Sequence, residues 1–408
     1  MTKTKKIIRN FIIFTIILSI LYSIAVFSNI PFIKKWRTIY IETAMTTMNH
    51  QWLATAFIPP SVVNEVVLNS KEQNNIQKEL ISTWKEEIPA TVDKDEIYFK
   101  QDTNNSLPNN DTIIIDKEEK IEKENENNDF YKLFWELDQN NFEEYIKNNP
   151  EIISNGYENI YIDNLSLEKE LFTIFKEPIR LIDSKNGILI IQVSGEGYQG
   201  NLAKIKDPSK VYVAKASNLG SHGDLILKFA KNNDSLITMN ASGFLDENWK
   251  GNGGTVSGSL ILDGIEYGNP LENQKFFGFK QDNRLYIENY DTAVIEDYRW
   301  AVQFNPALIV DGEVFVQGSF GWGLQPRSAI GQSKIGEVLM LVVDGRQVHS
   351  LGCTVGDLSE IMLRHNAYQA MNLDGGSSSI MTYKDKVITK PSSKTIDGRY
   401  LPSAFIVK

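Results

Sequence analysis

A chain of 408 residues with 42 Lys and Arg against 52 Asp and Glu carries a formal net charge of −10. That balance argues against a nucleic-acid partner, because phosphate backbones are bound chiefly by Lys and Arg. A single cysteine, Cys353, rules out an intramolecular disulfide framework, so core size must replace covalent staples.

From Phe11 to Ile33 there is no charged residue. At the helical rise this run is about 35 Å long, enough for a hydrocarbon core of about 30 Å. Lys3, Lys5, Lys6 and Arg9 precede it, and Lys34, Lys35 and Arg37 follow. The slight amino-terminal excess predicts an inside amino terminus and an extracytoplasmic body. A cleaved signal peptide competes with this reading, but the run is long for one, and Ala25-Val26-Phe27-Ser28 is a poor cleavage site. Residues 1–38 are therefore expected to form a single-pass anchor in the cell membrane, spanning about 11–33.

All 27 glycines lie at or beyond Gly156. Tight-turned β structure uses Gly where the backbone needs positive φ, and helices avoid it. Residues 39–85 read as a helical stalk, with Val62, Val63, Val66 and Val67 following the start signal Pro59-Pro60-Ser61. Residues 86–128 read as a flexible polar linker, although their Glu/Lys run also suits a solvated helix. Residues 129–179 hold a short helical segment, with Phe130 to Tyr145 amphipathic.

Residues 180–408 form the body. Ile188 to Val193, Val211 to Ala214 and Ser235 to Met239 read as strands, and Leu225 to Ala230 as a helix. Asp263-Gly264 and Asp311-Gly312 close hairpins. Val338 to Val343 is a continuous apolar strand expected to be buried on both faces. Thr354 and Asp357 make a capping box for a helix that buries Leu358, Ile361 and Met362 and stops at Asn366. The expected class is α+β, a large mixed β-sheet body with packed helices behind a transmembrane helix and stalk.

Four stretches could carry chemistry. Asp374 leaves the apolar run Ala370 to Leu373 and enters Gly375-Gly376-Ser377-Ser378-Ser379, where free N–H groups could meet an anion; a decorated turn is the alternative. Asp344-Gly345-Arg346 is either a site or another tight turn. Arg327 follows the aromatic-glycine loop Phe320-Gly321-Trp322-Gly323, which suits a phosphate clamp beside a sugar face. Asn240 and Ser242 offer an amide and a hydroxyl at a strand end. His50, His222, His349 and His365 share no metal-ligand spacing, and GxSxG, HExxH and phosphate-loop signatures are missing. Cys353 reads as a small buried hydrophobe, with a reactive thiol as the alternative.

Taken in order, Arg327-Ser-Ala-Ile-Gly, Asp344-Gly-Arg, Gly352-Cys-Thr, Asn372-Leu-Asp-Gly-Gly-Ser-Ser-Ser and Pro402-Ser-Ala-Phe-Ile-Val resemble the phosphodiester glycosidase family. The resemblance runs from about Lys210 to Lys408. It implies an α+β fold and cleavage between an anomeric carbon and a phosphate. It also carries over Asn240, Arg327, Asp344, Arg346, Asp374, Gly375, Gly376 and Ser378 as site candidates. Ser377 stands where many relatives have a third glycine, and Ala241-Ser242 replaces a Gly-Gly, which bears on the substrate more than on the reaction.

On this reading Asp374 is nucleophile or general base, and Arg327 and Arg346 clamp the phosphate. The N–H groups of Gly375 to Ser378 form an anion nest, and Asn240 positions sugar hydroxyls. Asp344 is a second carboxylate or a support for the arginines. No cofactor is predicted; a divalent cation between Asp344 and Asp374 stays open without supporting ligand spacing. The expected partners are a carbohydrate or sugar-phosphate polymer of the cell surface or wall, such as an exopolysaccharide, and the membrane itself. A non-catalytic polysaccharide-binding module and a sugar-phosphate transferase are the rival readings. Sequence leaves the sugar and the oligomeric state open.

Overall fold

The computed structural model describes residues 3–47, 50–84, 128–160, 170–246 and 251–408. The linker expected at 86–128 lies, apart from Asn128, outside the described residues. Among the described residues the strands form one nine-stranded and two five-stranded sheets. Helices join them, so the α+β class stands. The large sheet, expected to be mixed, is antiparallel in each of its pairings.

The strand Val338–Val343 lies within the large sheet, between Tyr198–Ile205 and Arg327–Ser333. Its alternate residues enter two different cores, which explains the unbroken apolar run. Val338, Met340 and Val342 pack with residues of the two smaller sheets, Met239, Phe405, Phe279 and Trp300 among them. Leu339, Leu341 and Val343 pack instead with Leu358, Ile361 and Met362 of the helix Val355–Arg364 and with Phe130, Phe134 and Phe142. The large sheet is thus covered on both faces. The capping box forms as expected: Asp357 N–H donates to Thr354 Oγ1 at 3.1 Å, and Thr354 N–H donates to Asp357 Oδ2 at 2.7 Å. Asn366, at φ +66°, follows the end of that helix.

The segment Phe130 to Tyr145 is not one helix. It breaks where Leu137 pairs with Thr173, and Asp138 then caps a second helix, Gln139–Ile146. A buried cluster fixes the break. Lys206 lies 2.7 Å from Glu136 and 2.6 Å from Glu337, and Lys204 joins the same two carboxylates. Two cations and two anions balance, so no charge is buried alone.

The amino-terminal region also departs from expectation. The apolar run is two helices: α1, Lys3–Phe27, and α2, Pro31–Thr46. Pro31 suits the first turn of a new helix and could not continue the old one. The stretch long and apolar enough to cross a membrane is therefore Thr4–Phe27. Helices α3, Gln51–Thr55, and α4, Pro60–Ile76, follow, with α4 opening where Pro59-Pro60-Ser61 signalled.

The carboxy-terminal part of the segment expected as a helical stalk, 39–85, touches the body at Gln77, Ser82 and Trp84. The Gln77 amide donates to Ala307 C=O at 3.1 Å and accepts from Ala307 N–H at 2.8 Å, as a neighbouring peptide group would. Ser82 N–H donates to Ile287 C=O at 2.8 Å, and Trp84 Nε1 donates to Leu285 C=O at 3.0 Å.

The turn residues Asp263 and Asp311 have φ of +49° and +50°, and each is followed by a positive-φ glycine. Asp311 does more than turn the chain. Its carboxylate accepts from Thr83 N–H at 2.8 Å, Thr83 Oγ1 at 2.7 Å, Trp84 N–H at 3.2 Å and Gln369 Nε2 at 2.6 Å. Burial alone would raise this carboxyl, but those donors outweigh it and hold it below the ordinary range. Asp311→Ala is expected to cost about 1–3 kcal/mol in urea unfolding at pH 7, since two backbone donors lose their acceptor. Because the folded carboxyl is depressed, the wild-type advantage is full above the unfolded carboxyl range and shrinks as pH falls through the folded one.

Candidate active site

Three strand ends meet beside one another. Arg327 sits opposite Val343 on one neighbour, and Ala329 sits opposite Asn372 on the other. The segments flanking these positions therefore converge at one end of the large sheet, bringing residues 320–326, 344–346 and 373–378 together.

Asp374 opens the last of these segments. Leu373 N–H donates to Ser328 C=O at 2.9 Å and Gly376 N–H to Pro326 C=O at 2.8 Å, which ties the loop to the residues flanking Arg327. A Cβ at Gly375 would stand 2.8 Å from Pro326 oxygen, and Gly376 has φ +61° with Arg346 Nη2 beside it. Gly375 is thus required by close approach, and Gly376 by its left-handed backbone. The Asp374 carboxyl is pushed up to about 6, chiefly by burial. The Ser378 hydroxyl, Arg399 and the Gly375 N–H oppose the rise, and Asp246 adds to it. Ionisation near neutrality suits a base or nucleophile.

The expected anion nest is largely spent on its own turn. Gly376, Ser378 and Ser379 N–H groups donate to Pro326, Gly375 and Gly376 carbonyls, and the Gly375 N–H serves Asp374. Ser377 Oγ accepts from Arg399 Nη1 at 3.3 Å.

The two arginines supply positive charge instead. Arg327 is buried; its Nη2 donates to Trp322 C=O at 2.7 Å and Gly323 C=O at 2.9 Å, and its guanidinium lies 5.7 Å from the Trp322 ring centre. Arg346 donates to Gln325 Oε1 from Nε at 3.1 Å and again from Nη2. Burial lowers both, Arg327 to about 10 with Arg346 contributing. Among the described residues neither forms an ion pair with a carboxylate.

Three expected site residues do other work. Asn240 is buried; its Nδ2 donates to the Asp374 carbonyl at 2.7 Å, and its Oδ1 accepts from Ser328 Oγ at 2.8 Å and Ile380 N–H at 3.2 Å. With its amide engaged, it shapes the Asp374 loop. Ser242 is buried against Ser403, Oγ to Oγ at 2.5 Å. Asp344 turns away into a small pocket with Arg180, Gln192, Asn201 and Lys390, where it meets His349 Nε2 at 3.0 Å and accepts from Lys390 N–H at 2.9 Å. Asp344 and Asp374 have no side-chain partner in common, and among the described residues no cluster of three metal-ligating side chains occurs. Cys353 is fully buried, and burial pushes its thiol up, away from reactivity.

Sequence reasoning missed Arg399 and Asp246, which pair at 2.6 Å beside Asp374. Asp397-Gly398-Arg399 repeats the Asp-Gly-Arg triplet of 344–346 and was the available signal. Also missed was the brace on the aromatic-glycine loop. Gly321 N–H donates to Glu42 Oε1 at 3.1 Å, Leu324 N–H to Thr43 Oγ1 at 2.9 Å, and Gln325 Nε2 to Thr47 Oγ1 at 3.1 Å. Helix α2 thus forms the back of the loop that Arg327 holds from the front.

Residues 233–408 match the model of the phosphodiester glycosidase family. Over 200 residues the chain is 28% identical to the SPbeta prophage-derived uncharacterized protein YomE of Bacillus subtilis, covering 46% of this chain and 29% of that protein. Over 120 residues it is 29% identical to N-acetylglucosamine-1-phosphodiester alpha-N-acetylglucosaminidase of Bos taurus, covering 29% of this chain and 20% of that protein. The chain thus spans less than a third of the length of the curated relatives it matches. Among solved structures it is similar to the zebrafish N-acetylglucosamine-1-phosphodiester alpha-N-acetylglucosaminidase catalytic domain auto-inhibited by pro-peptide, with a TM-score of 0.45 and 21% identity over 54% of this chain and 81% of that one. It is also similar to a putative exported protein from Burkholderia pseudomallei, with a TM-score of 0.41 and 14% identity over 52% and 74%.

Gly323, at φ +58°, would drive a Cβ into the Thr43 backbone, whereas Gly318, at φ +60°, has open space there. Both Ala variants bear about 1–2 kcal/mol of left-handed strain. Gly323→Ala is expected to lose about 1–3 kcal/mol more in urea unfolding, through overpacking against α2.

Proposed function

We propose that this protein is a membrane-anchored, extracytoplasmic hydrolase that cleaves the bond between an anomeric carbon and a phosphate in a sugar-1-phosphate diester. One observation carries the reading: among the described residues the buried Arg327 and the more exposed Arg346 have no carboxylate partner, and they flank the loop of a carboxyl that ionises near neutrality. A buried cation is costly unless an anion or strong acceptors offset it, and a bound phosphodiester would do so. Rings stand nearby, as a sugar face requires: Trp322 lies against Arg327 and Phe304, and Phe244 against Arg399.

Asp374 acts either as nucleophile on the anomeric carbon or as base on an attacking water. The C–O electron pair leaves with the phosphate, which the arginines hold. Phosphate needs little protonation to depart, so the displacement of Asp344 from the site removes no indispensable acid. Polymers of the cell surface or wall are the proposed substrates, and the N-terminal helix is the proposed anchor. An uncleaved anchor is favoured over a signal peptide because Val26, 5% exposed, packs with Ile41, Ile58, Val63 and Val66. A sugar-phosphate transferase would use the same groups, and product bearing an acceptor alcohol would reveal it.

Asp374→Asn is expected to lose at least about 100-fold in turnover of a nucleotide-sugar or aryl sugar-phosphate diester. Its melting temperature at pH 7.5 should not fall, because the raised carboxyl makes the ionised form the less favourable one in the folded state. Wild-type turnover should climb as pH rises through about 6, following Asp374 ionisation. No turnover by the wild type on any such diester would favour the binding module.

A further inference from the structure

Helices α2 and α3 and the turn after α3 expose a set of aromatic residues that the body does not cover: Phe32 is 68% exposed, Trp52 55% and Phe57 59%, with Trp36 and Tyr40 also exposed. They form edge or tilted pairs, Phe32 with Trp36 at 6.4 Å and Trp52 with Phe57 at 6.3 Å. Solvent-facing aromatics of this size are poorly suited to water, and Trp and Tyr concentrate where one side is apolar and the other wet.

Their position relative to α1 is fixed. Tyr22 Oη donates to Phe57 C=O at 2.8 Å, and Tyr22 lies five residues before the helix end, about 8 Å back along its axis. Arg37 Nη1 donates to Ser28 C=O at 2.9 Å, and Val26 shares a cluster with residues of α2 and α4. The helices therefore fold back beside the last turns of α1 and cannot swing away from them. With α1 in the hydrocarbon up to its end at Phe27, Phe57 lies below the level at which the helix emerges.

We propose that the outer aromatic face of α2, α3 and the turn after α3 (Phe32, Trp36, Trp52 and Phe57) is seated in the bilayer interface and holds the candidate active site at the membrane surface. Phe32, Trp36 and Thr43 share one stripe of α2, and Thr43 grips the loop at Leu324. From Trp36 to Thr43 is seven residues, about 10 Å of helix, so the loop beside Arg327 is held within a short distance of the aromatic face. The inference rests on α1 as a membrane helix and not on the chemistry proposed for Asp374, so a failure of turnover leaves it standing.

The test uses the full chain in phosphatidylcholine–phosphatidylglycerol vesicles. Because Cys353 is buried, a cysteine introduced at an exposed position is the one that labels. Environment-sensitive probes at Trp52→Cys and Phe57→Cys are compared with Ile265→Cys, which lies on a hairpin of the body and is 58% exposed. Shallow lipid-attached nitroxides are expected to quench positions 52 and 57 at least threefold more than position 265, and aqueous iodide to show the reverse order. Equal iodide quenching at all three would overturn the proposal. Protection from iodide without quenching by lipid would overturn it too, by pointing to a protein partner or a second copy. Quenching of native tryptophan by brominated lipid, reduced by Trp36→Phe with Trp52→Phe, checks the same point without labels.

Discussion

The buried guanidinium of Arg327 is the constraint around which the active end of the molecule is arranged. A fixed positive charge inside a protein needs acceptors on every side it presents. Here carbonyl oxygens of Trp322, Gly323 and Cys353 provide them, and in meeting that need they set the course of the loop. The same loop is gripped from behind by Glu42 and Thr43, and its Gln325 orients Arg346. One charge thus organises the aromatic wall, the second arginine and the seat of the amino-terminal helices.

Asp374 depends on the same region from the other side. Its loop is bonded to Pro326 and Ser328, so any shift in the Arg327 backbone moves the carboxylate as well. Asn240 adds a brace through the Asp374 carbonyl. The amide expected to read a sugar is part of the frame that aims the carboxylate, which accounts for its burial and its complete set of partners.

Elements governed by local rules were legible in the sequence. The Asp-Gly turns, the capping box at Thr354 and Asp357, and the double-faced strand Val338–Val343 each follow from neighbours in the chain. What escaped was set by contacts distant in sequence. The direction of Asp344 depends on His349 and Lys390, and the pairing of Arg399 with Asp246 spans 153 residues. The contacts of the stalk segment were hidden for the same reason: its buried side is created by loops that composition and periodicity cannot place. A polar residue such as Gln77 looks like solvent-facing decoration until its amide is seen paired with Ala307.

The bond between Glu42 and Gly321 joins residues 279 positions apart. In a chain made from its amino end at about 5–20 residues per second, the bracing helix emerges roughly 15–60 s before the loop it supports. Helix α2 must then wait, with its loop-facing side unsatisfied, until nearly four fifths of the protein has been synthesised. The loop beside Arg327 is consequently among the last parts to mature, and a ribosome stalled before residue 320 would leave helix α2 with nothing to brace.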